Sequence, residues 1–187
     1  MALKKSDIYS SLWSSADELR GSMDASQYKD YVLTLLFVKY VSDKGKADPY
    51  ALIEVPEEGS FDYLVTLKGK ADVGEKVNVA IRKLAEANDL QGVINNADFD
   101  DPTKLGSGKD LQDKVSNLIG IFQDMDFTGS KAEGDDLLGD AYEYLMRHFA
   151  TQSGKSKGQF YTPAEVSRVM ARLLQIPAST PKSATVY

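Results

Sequence analysis

YVLTLLFVKYV, from Tyr31 to Val41, decides how the rest of the chain is read. Eleven residues are too few to span a bilayer, and Lys39 interrupts the run, so it is no membrane segment. A helix that is apolar nearly all round belongs inside a protein, with other helices packed about it. Working outward, Asp24 caps this helix, which runs through Tyr28, Tyr31, Val32, Leu35, Leu36 and Val38 to about Asp43. Before it, Ser6 and Asp7 form a capping signal for a first helix. Ile8, Leu12, Ala16 and Leu19 share one face of that helix, which ends at Gly21.

After Gly45 the pattern breaks. DPYALIEVPEEGS places prolines and a glycine around Ala51–Val55, a candidate edge strand. FDYLVTL, after Ser60, reads either as a short helix or as extended chain. The helical period then returns three times. Val73, Val77, Ala80, Ile81 and Leu84 form one stripe, and Leu111, Val115, Leu118, Ile119 and Phe122 a second. Leu138, Ala141, Tyr142, Leu145 and Phe149 form a third. Between the first two lies QGVINNADFDDPTKLGSGKD, read as an apolar turn and then a polar loop. TQSGKSKG is a small, polar, basic connection. A last helix starts at Pro163 and carries Val166, Val169, Met170, Leu173 and Leu174. After it, Ala184 to Tyr187 reads as a strand. The expected fold is mainly α, with little or no strand before that point.

Composition narrows the function. The 187 residues are 42% hydrophobic and 27% charged, which suits a globular chain with its own core. There is no cysteine, which removes disulfides and thiolate metal sites and is compatible with a cytoplasmic location. One histidine, His148, cannot make a multi-histidine metal cluster, and it reads as a structural or surface residue. MALKKSDIYSS has two lysines but no apolar region, so it does not form a secretory signal. A net charge of −6 argues against a free-standing DNA binder, because phosphate neutralisation needs clustered Lys and Arg.

Two loops approach known motifs and miss them. DMDFTGSKAEGD sets Asp124, Asp126, Thr128, Gly129 and Asp135 where an EF-hand-like loop would need them. The closing position holds the shorter Asp rather than a bidentate Glu, and Lys131 replaces the apolar residue that pins such a loop. It reads as an acidic loop between helices. LGSGKD resembles the end of a phosphate-binding loop, but Asp110 stands where Mg²⁺ needs a hydroxyl, and Thr103 where the motif needs glycine.

The informative stretch is GQFYTPAEV, Gly158 to Val166. Thr162 suits an N-cap, Pro163 the first helical position and Glu165 the third, so TPAE completes a capping box without any function. Phe160 and Tyr161, directly before the cap, are left over. A helix start preceded by aromatic rings can hold an anionic group on free N–H groups while a ring packs on an apolar or heterocyclic moiety.

A polar loop, G-Q-F-Y-T-P, an amphipathic helix and a segment beginning T-V-Y resemble the start of the methyltransferase domain of N6-adenine DNA methylases. More narrowly, the chain resembles the N-terminal part of the modification (methylase) subunit, HsdM, of type I restriction–modification systems. LRGSMDASQYKDYVLTLLFVKYVSD (Leu19 to Asp43), DLLGDAYEYLMRHFA (Asp136 to Ala150) and KGQFYTP (Lys157 to Pro163) carry the resemblance.

The resemblance implies a helical N-terminal domain over 1–150. Residues 151–187 would be the linker and start of a Rossmann-like domain that uses S-adenosyl-L-methionine. Gln159, Phe160, Tyr161, Thr162, Pro163 and Ala164 would then line the methionine side of that cofactor. Implied partners are a specificity subunit, a second methylase subunit, a restriction subunit and double-stranded DNA. Lys155 and Lys157 are the positions where charge would favour the DNA backbone. The family's glycine-rich D-P-x-C-G-S-G loop and its N-P-P-aromatic motif are not in these residues, so the expectation for this stretch alone is no methyl transfer. The rival expectation is a helical interaction module in which GQFYTP is only a capped turn. A D-P-x-C-G-S-G-like loop directly after Tyr187 would decide between the two.

Overall fold

A computed structural model describes residues 5–48, 51–128, 137–152, 162, 164–175 and 179. Among them, eight α-helices account for nearly all regular structure: α1 (Lys5–Leu19), α2 (Ala25–Ala47), α3 (Phe61–Leu67), α4 (Val73–Ala87), α5 (Pro102–Leu105), α6 (Lys109–Gln123), α7 (Leu137–Gln152) and α8 (Ala164–Leu173). A 3₁₀ turn at Glu57–Gly59 precedes α3. The mainly α expectation therefore holds. No strand occurs among the described residues, and a single isolated bridge joins Arg20 to Met23.

α2 is the axis. It packs against α1, α3, α6 and α7, while α6 also touches α1, α3, α4 and α5. Tyr28, Tyr31, Val32, Leu35, Leu36, Val38 and Val41 are all buried, as an all-round apolar helix requires. The stripe of α1 is likewise buried at Ile8, Leu12, Ala16 and Leu19. The stripes of α4 and α6 face the same core.

Several boundaries differ from the sequence reading. Helix α1 is already running at Lys5, so Ser6 and Asp7 sit in its first turn rather than capping it. Helix α2 continues through Gly45 to Ala47, where the missing side chain of Gly45 leaves the helix close to Val55. Its start is as expected, with the Asp24 N–H donating to Gln27 Oε1 at 3.2 Å.

The edge strand expected at Ala51–Val55 is absent. A lone segment between prolines has no neighbouring strand to pair with, and a side chain takes that role. The Glu54 N–H donates to Asn88 Oδ1 at 2.8 Å, and Asn88 Nδ2 donates back to the Glu54 carbonyl at 2.7 Å. FDYLVTL resolves as helix α3 because Ser60 Oγ caps it, accepting from the Tyr63 N–H.

The segment read as a turn and polar loop over 91–110 is tied into the core, and its last two residues, Lys109 and Asp110, already belong to α6. Tyr31 donates its hydroxyl proton to the Asp98 carbonyl at 2.9 Å and meets the edge of Phe99, which is fully buried. Thr34 Oγ1 donates to the Ile94 carbonyl at 3.1 Å. Asn78 Oδ1 accepts from the Phe99 N–H, and Asn78 Nδ2 donates to Asp98 Oδ1. Short helix α5, unforeseen in the sequence, follows from Asp101 capping and Pro102 at the first position.

Beneath α3 lies a buried polar cluster. Lys39 Nζ pairs with Asp43 Oδ1 at 3.0 Å, and Asp43 Oδ2 accepts the Phe127 N–H at 3.0 Å. Next to it Ser42 Oγ accepts the Phe61 N–H. Every buried side-chain nitrogen or oxygen among the described residues has a partner.

Candidate functional site

Among the described residues several surface features are open to a ligand or partner, a cavity lined by Ser42, Lys46, Asp48 and Glu54 among them, and two are chiefly apolar. The first is α8. Its apolar stripe, expected from the sequence, is present but uncovered: Val166, Val169, Met170, Leu173 and Leu174 are 47–76% exposed. Such a stripe on a regular helix is an apolar face open to packing. Of the six residues expected at the cofactor, Thr162 and Ala164 fall among the described ones. Thr162 is exposed, and Ala164 opens α8 two residues later. Gln159, Phe160, Tyr161 and Pro163 lie outside the described residues, as do Lys155, Lys157 and the segment Ala184–Tyr187.

The second feature is a groove of about 310 Å³ between α2, the 93–96 segment and α7, lined chiefly by Leu33, Phe37, Val93, Ile94 and Tyr142. Lys29 and Asp30 lie at the groove and pair with each other at 2.6 Å. The sequence reading missed this groove, since it assigned Tyr142 to the core stripe of its helix. Of that stripe Ala141 and Leu145 are buried, as is Met146 beside them, while Tyr142 stands 45% exposed to one side and the side chains of Leu138 and Phe149 lie outside the described set. A neighbouring position on a helix lies about 100° round, enough to move a ring from core to rim. Another aromatic of this helix, Tyr144, stacks face to face on Tyr9 of α1 at 4.1 Å.

The rejected motifs have structural explanations. Gly106 and Gly108 both take positive φ, 83° and 59°, which the turn into α6 requires. Asp126 Oδ1 accepts from both the N–H and the hydroxyl of Thr128, closing a local turn, and residues 129–136 of that loop lie outside the described set. His148 is on α7, and its side chain is outside the described set as well.

Electrostatics at the surface are those of turns and caps. Hydrogen bonds from Thr128 hold the Asp126 carboxyl below its ordinary range. Thr103 and then Lys104 do the same for Asp101. Among the described residues no three His, Cys, Asp or Glu side chains gather as a metal site, and no helix is long and apolar enough to cross a membrane.

Helical order, an all-round apolar axis and an uncovered last helix therefore occur together. Residues 8–122, which hold α1 through α6, match the HsdM N-terminal domain. The chain belongs to the HsdM N-terminal domain family. Residues 133–187, with α7 and α8, match the N-6 DNA Methylase family.

The chain is similar to methylase subunits of type I restriction enzymes. It is 22% identical to the MpnII methylase subunit of Mycoplasma pneumoniae over 91% of its own length and 40% of that protein. It is 30% identical to the MjaVII subunit of Methanocaldococcus jannaschii over 92% of its length and 32% of that protein. For the EcoKI subunit of Escherichia coli the figures are 25%, 92% and 31%. The crystal structure of a type I restriction-modification system methyltransferase subunit from Streptococcus thermophilus superposes with a TM-score of 0.66 at 25% identity. That likeness covers 94% of this chain and 45% of the other. The chain spans less than half the length of each of these relatives.

Proposed function

We propose that these residues are the helical N-terminal domain of a type I adenine-N6 DNA methylase subunit together with the first cofactor-binding element of its catalytic domain. We place the domain division near residue 150, in the last turn of α7, although the N-6 DNA Methylase match begins at residue 133. The helical part makes contacts to the specificity, second methylase and restriction subunits and helps to clamp double-stranded DNA, and Lys155 and Lys157, in the basic connection after it, are the positions whose charge would favour the DNA backbone. The observation that carries the reading is α8. An amphipathic helix follows G-Q-F-Y-T-P within the segment that matches the methylase family, and its apolar face is uncovered.

S-adenosyl-L-methionine, when bound, supplies the methyl group. Gln159, Phe160, Tyr161, Thr162, Pro163 and Ala164 would hold its methionine end, with an aromatic ring against the apolar part and helix N–H groups toward the carboxylate. A methyl transfer also needs the adenosine end held and the target base extruded beside it. The sequence motifs for both are missing from these 187 residues, so this stretch is inactive by itself.

Isothermal calorimetry tests the reading. The 187 residues are expected to give no S-adenosyl-L-methionine binding at micromolar concentration. In the full-length subunit Phe160→Ala and Tyr161→Ala are each expected to weaken binding by about tenfold, equivalent to about 1.4 kcal/mol. Micromolar affinity in the short chain, or unchanged affinity in both variants, refutes it. If neither form binds, the alternative of a non-enzymatic helical interaction module is supported.

A further inference from the structure

We draw no further inference here: the strongest candidate, the apolar groove between α2, α7 and the 93–96 segment lined by Leu33, Phe37, Ile94 and Tyr142, carries nothing because no observation in the structure shows what covers it.

Discussion

Asp43 ties α2 to the segment after α6 through one carboxylate. Its two oxygens serve Lys39 on its own helix and the Phe127 N–H beyond α6, and both charged side chains are nearly fully buried. Removing one member of such a pair leaves the other charge without compensation in a poorly solvated site, which costs about 3–5 kcal/mol. Asp43→Ala is therefore expected to lower the urea midpoint sharply, whereas removal of an exposed pair such as Lys46–Asp62 should change it by less than about 1 kcal/mol. Gly74 shows a second single-residue constraint. A Cβ built there would lie 2.3 Å from the Phe99 carbonyl oxygen, so the backbone of the 91–100 segment would have to move. Gly74→Ala should cost about 1–3 kcal/mol, read from thermal melts. The sequence shows a glycine near the start of a helix but not the carbonyl facing it, because that contact joins residues 25 positions apart.

At the scale of elements, the helices were legible because each carries an apolar stripe at helical spacing, and burial against neighbours follows from that stripe. The segments between them were less so. Ala51–Val55 has strand-like residues, yet Asn88 at the end of α4 satisfies its backbone instead of a strand. Asn88 also donates to the Leu84 carbonyl, so Asn88→Ala removes three hydrogen bonds. It is expected to destabilise the chain by about 1–3 kcal/mol and to speed hydrogen exchange at the Glu54 amide, which mass spectrometry can follow. Helix α8 behaves oppositely. Its stripe is exposed, so Val169→Lys with Leu173→Lys should change the stability of the 187-residue chain by less than about 0.5 kcal/mol, read from its thermal melt. In a longer chain that supplies a packing layer over that face, the same pair should be strongly destabilising. A matched fall in melting temperature in both forms would show that α8 already packs in the short chain.

For the molecule as a whole, acid and alkaline limits follow from different groups. Asp72, held down chiefly by its hydrogen bond from Lys76, and Asp101 and Asp126, held down by Thr103 and Thr128, have depressed folded-state pKa values. Their contribution is present above the ordinary Asp value of about 3.9 and is lost as pH falls through the lower folded values. Tyr31 and Tyr28 are shifted the other way, mainly because burial disfavours the phenolate. A raised pKa gives stability that is complete below the unfolded value of about 10 and is lost as pH rises through the folded one. Urea midpoints should therefore fall on both the acid side of about pH 4 and the alkaline side of about pH 10. Tyr31→Phe should flatten the alkaline limb.

What the amino-acid order determined by itself was the helical class, the central place of Tyr31–Val41 and the stripes that build the core. These depend on spacing along one chain, and spacing is visible in a sequence. Only the tertiary structure decided that Tyr142 leaves the core for a groove, that Asn88 replaces a strand partner and that the 91–100 segment is anchored on α2. It also decided that the last stripe has no cover among the described residues. Those outcomes depend on which distant groups arrive at the same place, and hydrogen bonding and burial are settled only when they do.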